Sequence, residues 1–284
     1  MIRLSSPQPE APDTMESPRP VATALTIAGS DSGGGAGIQA DLRTFAFHRV
    51  HGTSALTAIT AQNTLGVNRV DVLSPSAVAA QIEAVASDIG IHAAKTGMLA
   101  NREIIIMVAE QVRILKLTRL VVDPVMMSRA GSRLIDEKAI GALRELLIPL
   151  ATIVTPNRYE AQLLAGLEIH TLEDMNEAAR RIHRLGPKAV LIKGGAMPGP
   201  LRGTDVWFDG QHLETLSASP IDTPNTHGTG CTLSAAMAAH LALGRGPLEA
   251  TRRAKDYVTA ALRYPLALGR GNGPFCHFVL AELP

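Results

Sequence analysis

Cysteine is scarce in this chain, with only Cys231 and Cys276 among 284 residues. Two thiols so far apart build no disulfide framework, and a reduced, cytosolic compartment is the expectation. Lacking paired histidines at ligand spacing, they build no zinc site either. Charge of one sign is equally short: the net charge is +1, so no overall field draws in nucleic acid or an anionic membrane. Long apolar runs are missing too. The longest, residues 104–109, falls far below the ~20 residues of a spanning helix, and a soluble protein is expected. Residues 1–20 hold five prolines among Ser, Glu and Arg without the apolar centre of a signal peptide. A disordered tail, followed by one domain over 21–284, is the resulting division. Two nucleotide motifs are absent as well. No G-x-x-x-x-G-K-[ST] occurs, which excludes a P-loop, and neither glycine cluster has G-x-G-x-x-G spacing. Residues 29–33 resemble a nucleophile elbow in outline, but Asp31 stands where a serine would be needed.

What is present is a large apolar fraction, 46%, enough for one sizeable core. Short β-branched runs alternate with helical patterns. Strands are expected at 22–28, 53–60, 67–73, 92–95, 119–122, 152–155 and 189–193. Helices are expected after Gly37, with Ile38, Leu42 and Phe45 on one face, after Ser74-Pro75, and at 101–116, 137–147, 159–164 and 172–185. This order predicts an α/β protein of three α/β/α layers around a mostly parallel sheet. Residues 206–208 and 212–216, joined by Asp209-Gly210, break the rhythm as a hairpin at a sheet edge. Residues 196–204, rich in Pro and Gly, read as a mobile flap before it.

The organising stretch is Asn225-Thr226-His227-Gly228-Thr229-Gly230-Cys231-Thr232, followed by an Ala- and Leu-rich helix that stops at Gly244. Gly228 and Gly230 clear the side chains from a helix start whose free N–H groups and positive dipole end suit a phosphate or a developing oxyanion. Cys231 sits at that mouth, where a thiol is expected to ionise more easily than in water or a core, and such a group can act as a base. A bare G-x-G-C would read equally well as a turn and a core cysteine.

Doubly wound sheets bind ligands beyond the carboxyl ends of their strands. The segments found there are Gly29 to Gly37, Gln62-Asn63, Thr96-Gly97-Met98, Asp123-Pro124, Pro156-Asn157 with Glu160, Lys193-Gly194-Gly195, and the 225–231 loop. One lysine, two carboxylates and two glycine loops suit a phosphoryl donor with its metal. Asp123 and Glu160 are the metal candidates, although Asn157-x-x-Glu160 is also an ordinary capping box. Lys193, ending an apolar strand, faces either the surface or a polar cleft. Gln62 can donate and accept hydrogen bonds in one plane, and its bland reading is a polar residue finishing a strand. Asp41 is the second acceptor candidate, while Lys95 and His227 could face the site but are assigned structural or surface roles.

Residues 25–41 (LTIAGSDSGGGAGIQAD) together with 225–231 (NTHGTGC) closely resemble the hydroxymethylpyrimidine/phosphomethylpyrimidine kinases of thiamine biosynthesis, members of the ribokinase-like superfamily. The resemblance implies a kinase using ATP and Mg²⁺, with a homodimer expected. It implies a pyrimidine pocket lined by Gly29, Asp41, Gln62, Met98 and Val125. ATP would meet Asn157, Lys193, Thr226 and Thr229, and the metal would lie by Asp123 and Glu160. Catalysis would fall to Cys231 as base, with Gly228, Thr229, Gly230 and Lys193 stabilising the moving phosphoryl. A pyridoxal or pyridoxine kinase of the same superfamily, and a silent nucleotide-binding protein on the same fold, remain the alternatives.

Overall fold

The computed structural model describes residues 20–126 and 135–278. The tail read from residues 1–20 lies outside these apart from Pro20. The elements run β1 (Thr23–Asp31), α1 (Gly37–Phe47), β2 (His51–Asn63), β3 (Gly66–Val72), α2 (Pro75–Asp88), β4 (Ala93–Thr96), α3 (Arg102–Ile114) and β5 (Leu120–Val122). Then come α4 (Glu137–Ala142), β6 (Ile153–Val154), α5 (Arg158–Ala165), α6 (Leu172–His183), β7 (Val190–Ile192), β8 (Thr204–Phe208), β9 (Leu213–Ser217), α7 (Thr229–Ala242) and α8 (Pro247–Leu262). The nine strands form one sheet in the order β3-β2-β1-β4-β5-β6-β7-β8-β9. The six strands from β2 to β7 run parallel, and β3, β8 and β9 are antiparallel to their neighbours. This is the ribokinase-like α/β arrangement the sequence predicts.

Alternation along the strands produces two cores. One face of the sheet, with Leu25, Ile27, Val122, Val154 and Ile192, packs against α2 to α6. The other, with Ala24, Val121, Ile153 and Leu191, packs against α1, α7 and α8. The helix starts follow their sequence signals. Ser74 accepts from Ala77 N ahead of Pro75, and Asn101 and Asp136 cap α3 and α4 through their side chains. Helix α7 is buried on nearly every side, which is why its composition is apolar all round. Among the described residues no helix is long and apolar enough to cross a membrane.

Four local readings change. The strand at residues 67–73 does not continue the parallel β-α series; β3 folds back on β2 as a second edge hairpin, with Val70 opposite Thr60 and Val67 opposite Gln62. Strands β1 and β2 extend through Gly29 and Gln62, so those residues lie on strands rather than after them. Residues 209–212 form a four-residue hairpin loop in which Asp209 Oδ1 accepts from the N–H groups of Gln211 and His212, longer than the two-residue turn expected. The flap read at residues 196–204 is anchored: Met197 is buried, and the N–H groups of Met197 and Gly203 both bond to Gly194 O.

Candidate active site

The parallel strands end at one cavity of about 1010 Å³. The carboxyl ends of β1, β4, β5, β6 and β7 form its floor, the β2–β3 hairpin overhangs one end, and the start of α7 enters from the side. Gly228 adopts φ 84° as the N-cap of α7 and supplies no side-chain cap, so the first-turn N–H groups are left to the cavity. A Cβ at Gly228 would overlap Gly35 O; the two glycine loops meet there, which only glycine allows. A Cβ on Gly230 would crowd Lys193 Nζ at 3.3 Å, so its absence keeps open the space between the helix start and the lysine. Thr229 Oγ1 turns inward and donates to Thr226 O at 2.7 Å, shaping the loop. Thr226, Gly228, Thr229, Gly230 and Cys231 all line the cavity.

Opposite the loop, Lys193 Nζ lies 2.7 Å from Asp123 Oδ1. Burial works against the ammonium, but Asp123 and Glu160 outweigh it and hold Lys193 above the usual lysine range. Asn157 and Glu160 realise the capping box in full: Asn157 Oδ1 accepts from Glu160 N at 3.0 Å and Glu160 Oε2 from Asn157 N at 2.8 Å. Burial pushes the Glu160 carboxyl up to about 7; the Asp123 charge adds to this, while Lys193 and the N–H groups of Asn157 and Met126 oppose it. Capping and site membership are therefore not rivals, since both residues also face the cavity. Among the described residues no group of three or more His, Cys, Asp or Glu could cage a metal. Asp123 and Glu160, both at the cavity wall, are the hard oxygen donors that Mg²⁺ takes in small number while keeping several waters.

The assignments of Asp41 and Cys231 need correction, and that of Lys95 becomes specific. Asp41 does not line the pocket. It is wholly buried, with Oδ2 paired to Lys95 Nζ at 2.9 Å and accepting from Thr26 Oγ1 at 2.6 Å. Lys95 takes the structural side of its expected role: it is fully buried in the cavity wall, and a Cβ on Gly97 would sit 2.8 Å from its Nζ. Burial opposes its charge, but Asp41, Cys231 and Asp123 outweigh that and raise Lys95. Cys231, finally, is harder rather than easier to ionise. Burial pushes the thiol up to about 11, with Asp41 and Asp123 adding to the effect, and Lys95 and the Gly37 N–H only partly offset it. The helix start was the right feature but not the dominant influence.

At the end of the cavity under the β2–β3 hairpin, Gly29, Gln62, Met98 and Val125 are among the lining residues. A Cβ on Gly29 would collide with the Met98 side chain, so the glycine makes room for that apolar wall. His227 joins them, contrary to the structural or surface role assigned to it: its Nε2 lies 2.8 Å from Asp31 Oδ2 and 3.2 Å from Gln62 Nε2. Asp31 also accepts from the N–H groups of Gly33 and Ala36, which folds the first glycine loop around its carboxylate. At the far end the sequence reading found nothing. There Ala218, Pro220, Ile221, Val258 and Leu262 make an apolar lobe beside the ion pair of Lys255 with Asp205, 2.7 Å apart.

A glycine-lined helix start, a lysine and two carboxylates at the strand ends of this layered sheet define a ribokinase-like small-molecule kinase. The sequence signature described as phosphomethylpyrimidine kinase matches residues 31–276, and the chain belongs to that family. It is 60% identical over 258 residues to the hydroxymethylpyrimidine/phosphomethylpyrimidine kinase of Synechococcus elongatus, covering 91% of this chain and 98% of that one. To the enzyme of the same description from Haemophilus influenzae it is 46% identical, covering 91% and 97%. Among solved structures, the phosphomethylpyrimidine kinase of Clostridium difficile superposes with a TM-score of 0.76 at 43% identity, covering 84% and 99%. The ADP complex of Bacillus subtilis pyridoxal kinase superposes with a TM-score of 0.87 at 42% identity, covering 93% and 100%.

Proposed function

We propose that this protein transfers the γ-phosphoryl group of ATP to the hydroxymethyl oxygen of 4-amino-5-hydroxymethyl-2-methylpyrimidine, and then a second phosphoryl group to the resulting monophosphate, in thiamine biosynthesis. The observation that carries the reading is one continuous cavity joining the Gln62 end to the anion loop and Lys193, together with membership of the family. The acceptor would lie between Gln62, Met98 and Val125, and the donor phosphates between the α7 start, Lys193 and Asn157, with the nucleoside toward the Ile221 and Leu262 lobe. Asp123 and Glu160 would hold Mg²⁺, which when bound neutralises phosphate charge. The cytoplasmic setting and the homodimer belong to the same proposal; light scattering on the purified protein tests the dimer.

In the first transfer the acceptor O–H breaks, its oxygen bonds to phosphorus, and the bond from phosphorus to ADP breaks. The proton passes to Cys231 Sγ, which must be a thiolate to take it. Lys193 and the N–H groups of Gly230 and Cys231 stabilise the charge on the moving group. With the thiol held up to about 11, ionised Cys231 is scarce near neutrality, so the first transfer should speed up as pH rises. The second acceptor is already an anion and needs no base, so its rate should stay flat.

The test is ³¹P NMR with MgATP and, separately, hydroxymethylpyrimidine, its monophosphate and pyridoxine. A monophosphate that becomes a diphosphate supports the reading, and transfer to pyridoxine alone moves it to the vitamin B6 kinases. Cys231→Ser should slow the first step about 100-fold, abolish its rise with pH, and leave the second within about threefold. Equal loss in both steps would reduce Cys231 to a loop residue.

A further inference from the structure

Three side chains from separate elements meet at the acceptor end in contacts that phosphoryl transfer does not require. His227 Nε2 stands between Asp31 Oδ2, at 2.8 Å, and the Gln62 amide, at 3.2 Å. Asp31 is ringed by donors: Oδ1 accepts from Gly33 N at 2.9 Å and Oδ2 from Ala36 N at 2.8 Å. Burial pushes this carboxyl up, but the bonds from His227, Ala36 and Gly33 outweigh it and leave it below its ordinary value. Asp31 thus accepts and does not donate, and His227 Nε2 must carry a proton. The imidazole has a built seat, since a Cβ on Gly35 would run into its ring.

That proton fixes the neighbouring amide. With Gln62 Nε2 facing His227 Nε2, an N–H meets an N–H. At the other end of the same amide, the single hydroxyl hydrogen of Thr60 is claimed by both Ser30 O, at 2.8 Å, and Gln62 Oε1, at 3.3 Å. The oxygen and nitrogen of a carboxamide have the same outline, and their partners decide which is which. Half a turn of the amide relieves both conflicts. Nε2 then donates to Thr60 Oγ1, whose own hydrogen goes to Ser30 O, and Oε1 faces the His227 N–H as the weaker acceptor of a three-centre bond shared with Asp31 Oδ2.

We propose that His227 is a specificity-positioning residue, which together with Thr60 fixes the Gln62 carboxamide with Oε1 toward His227 and Nε2 toward Thr60. One Oε1 lone pair and one Nε2 hydrogen then remain, an acceptor and a donor side by side. Their complement is a ring nitrogen adjacent to an amino group, the N=C–NH₂ edge of an aminopyrimidine; this step rests on the acceptor proposed above. A hydroxypyridine such as pyridoxine carries its hydroxyl between carbon-bearing positions and leaves one of the two unpaired, which a site built for both penalises. Since His227 adjoins Gly228, the residue that sets acceptor choice is also part of the loop that receives the phosphoryl group.

The test compares the wild type, His227→Phe, Gln62→Ala and the double variant, with hydroxymethylpyrimidine and pyridoxine as acceptors. His227→Phe should lower the kcat/KM preference for the pyrimidine about 10-fold, with the KM for ATP changed less than about twofold. In the Gln62→Ala background the same substitution should move that preference less than about twofold. Equal losses on both acceptors, or an undiminished effect without Gln62, would overturn the proposal. His227→Gln, which can keep a donor for Asp31, covers the case in which the phenylalanine variant does not fold, and should retain more of the preference than His227→Ala. A neutron structure of the free protein separates this inference from the choice of acceptor. Oxygen of Gln62 toward His227 upholds the positioning even if the pyrimidine proves not to be the substrate, and nitrogen there defeats it whatever the substrate is.

Discussion

Two lysine–aspartate pairs border the Cys231 loop, and the difference between them separates what builds this site from what operates in it. Lys95 and Asp41 are sealed, with 0% of either side chain exposed. Lys193 and Asp123 have nearly the same separation, 2.7 Å against 2.9 Å, yet Lys193 keeps 14% exposure, toward the cavity. Both pairs act on Cys231 through charge, Lys95 favouring the thiolate and both aspartates opposing it. A sealed pair has no water to replace either partner, so it is a fixed part of the fold. An open pair can exchange its contact for a phosphate or a metal ion. Lys193 and Asp123 thus hold each other at the cavity wall, on the side where the pair meets open space.

Removing the sealed cation should have the largest effect. Lys95→Met leaves Asp41 buried and uncompensated, and should cost about 3–5 kcal/mol in chemical denaturation. Adding Asp41→Leu should restore much of the loss, because the second change removes the stranded charge. A single variant within about 1 kcal/mol of wild type would show that the pair is not sealed in solution. Lys193→Ala should do the reverse, lowering kcat about 100- to 1,000-fold while costing about 1 kcal/mol or less of stability, since water entering the cavity can solvate Asp123. If Lys193→Ala destabilised the protein as much as Lys95→Met, the comparison would collapse and both pairs would be structural.

The open pair was legible in the sequence and the sealed one was not. Asp123 and Lys193 each directly follow an apolar strand, and the strand-end rule for doubly wound sheets brings them together without knowledge of any contact. The same rule found Gly29, Asn157 and the 225–231 loop. Asp41 and Lys95 are 54 positions apart and owe their meeting to the pairing of β1 with β4 under α1. The signal that was available was subtler: Asp41 falls on the same inward helix face as Ile38 and Phe45, and Lys95 falls inside a buried strand. Opposite charges on two buried faces are tolerable only if they pair. For His227 no local pattern existed, because its partners come from loops and strands at the other end of the chain. The direction of β3 could have been read from the lack of any helix between it and β2, since a parallel partner needs a crossover of a dozen or more residues.

The smallest effect sharpens the comparison furthest, because it tests whether Asp41 is charged at all. Thr26 lies beside Lys95 across the β1–β4 pairing, and its hydroxyl donates to the same Oδ2 that Lys95 holds, while Oδ1 is buried without a hydrogen-bond partner. Burial raises the Asp41 carboxyl, and Lys95 and Thr26 only partly bring it back. Thr26→Val keeps the shape and removes that donor, so it should cost about 1.5–2 kcal/mol near pH 8 with kcat changed less than about twofold. Without the hydroxyl, folded Asp41 holds its proton still more tightly. A group with a raised folded value contributes stability at low pH that is lost as pH rises through that value, so the deficit of the variant should shrink as the pH is lowered. A deficit independent of pH would mean that Asp41 does not change its protonation over that range, and the link between Thr26 and its titration would fall.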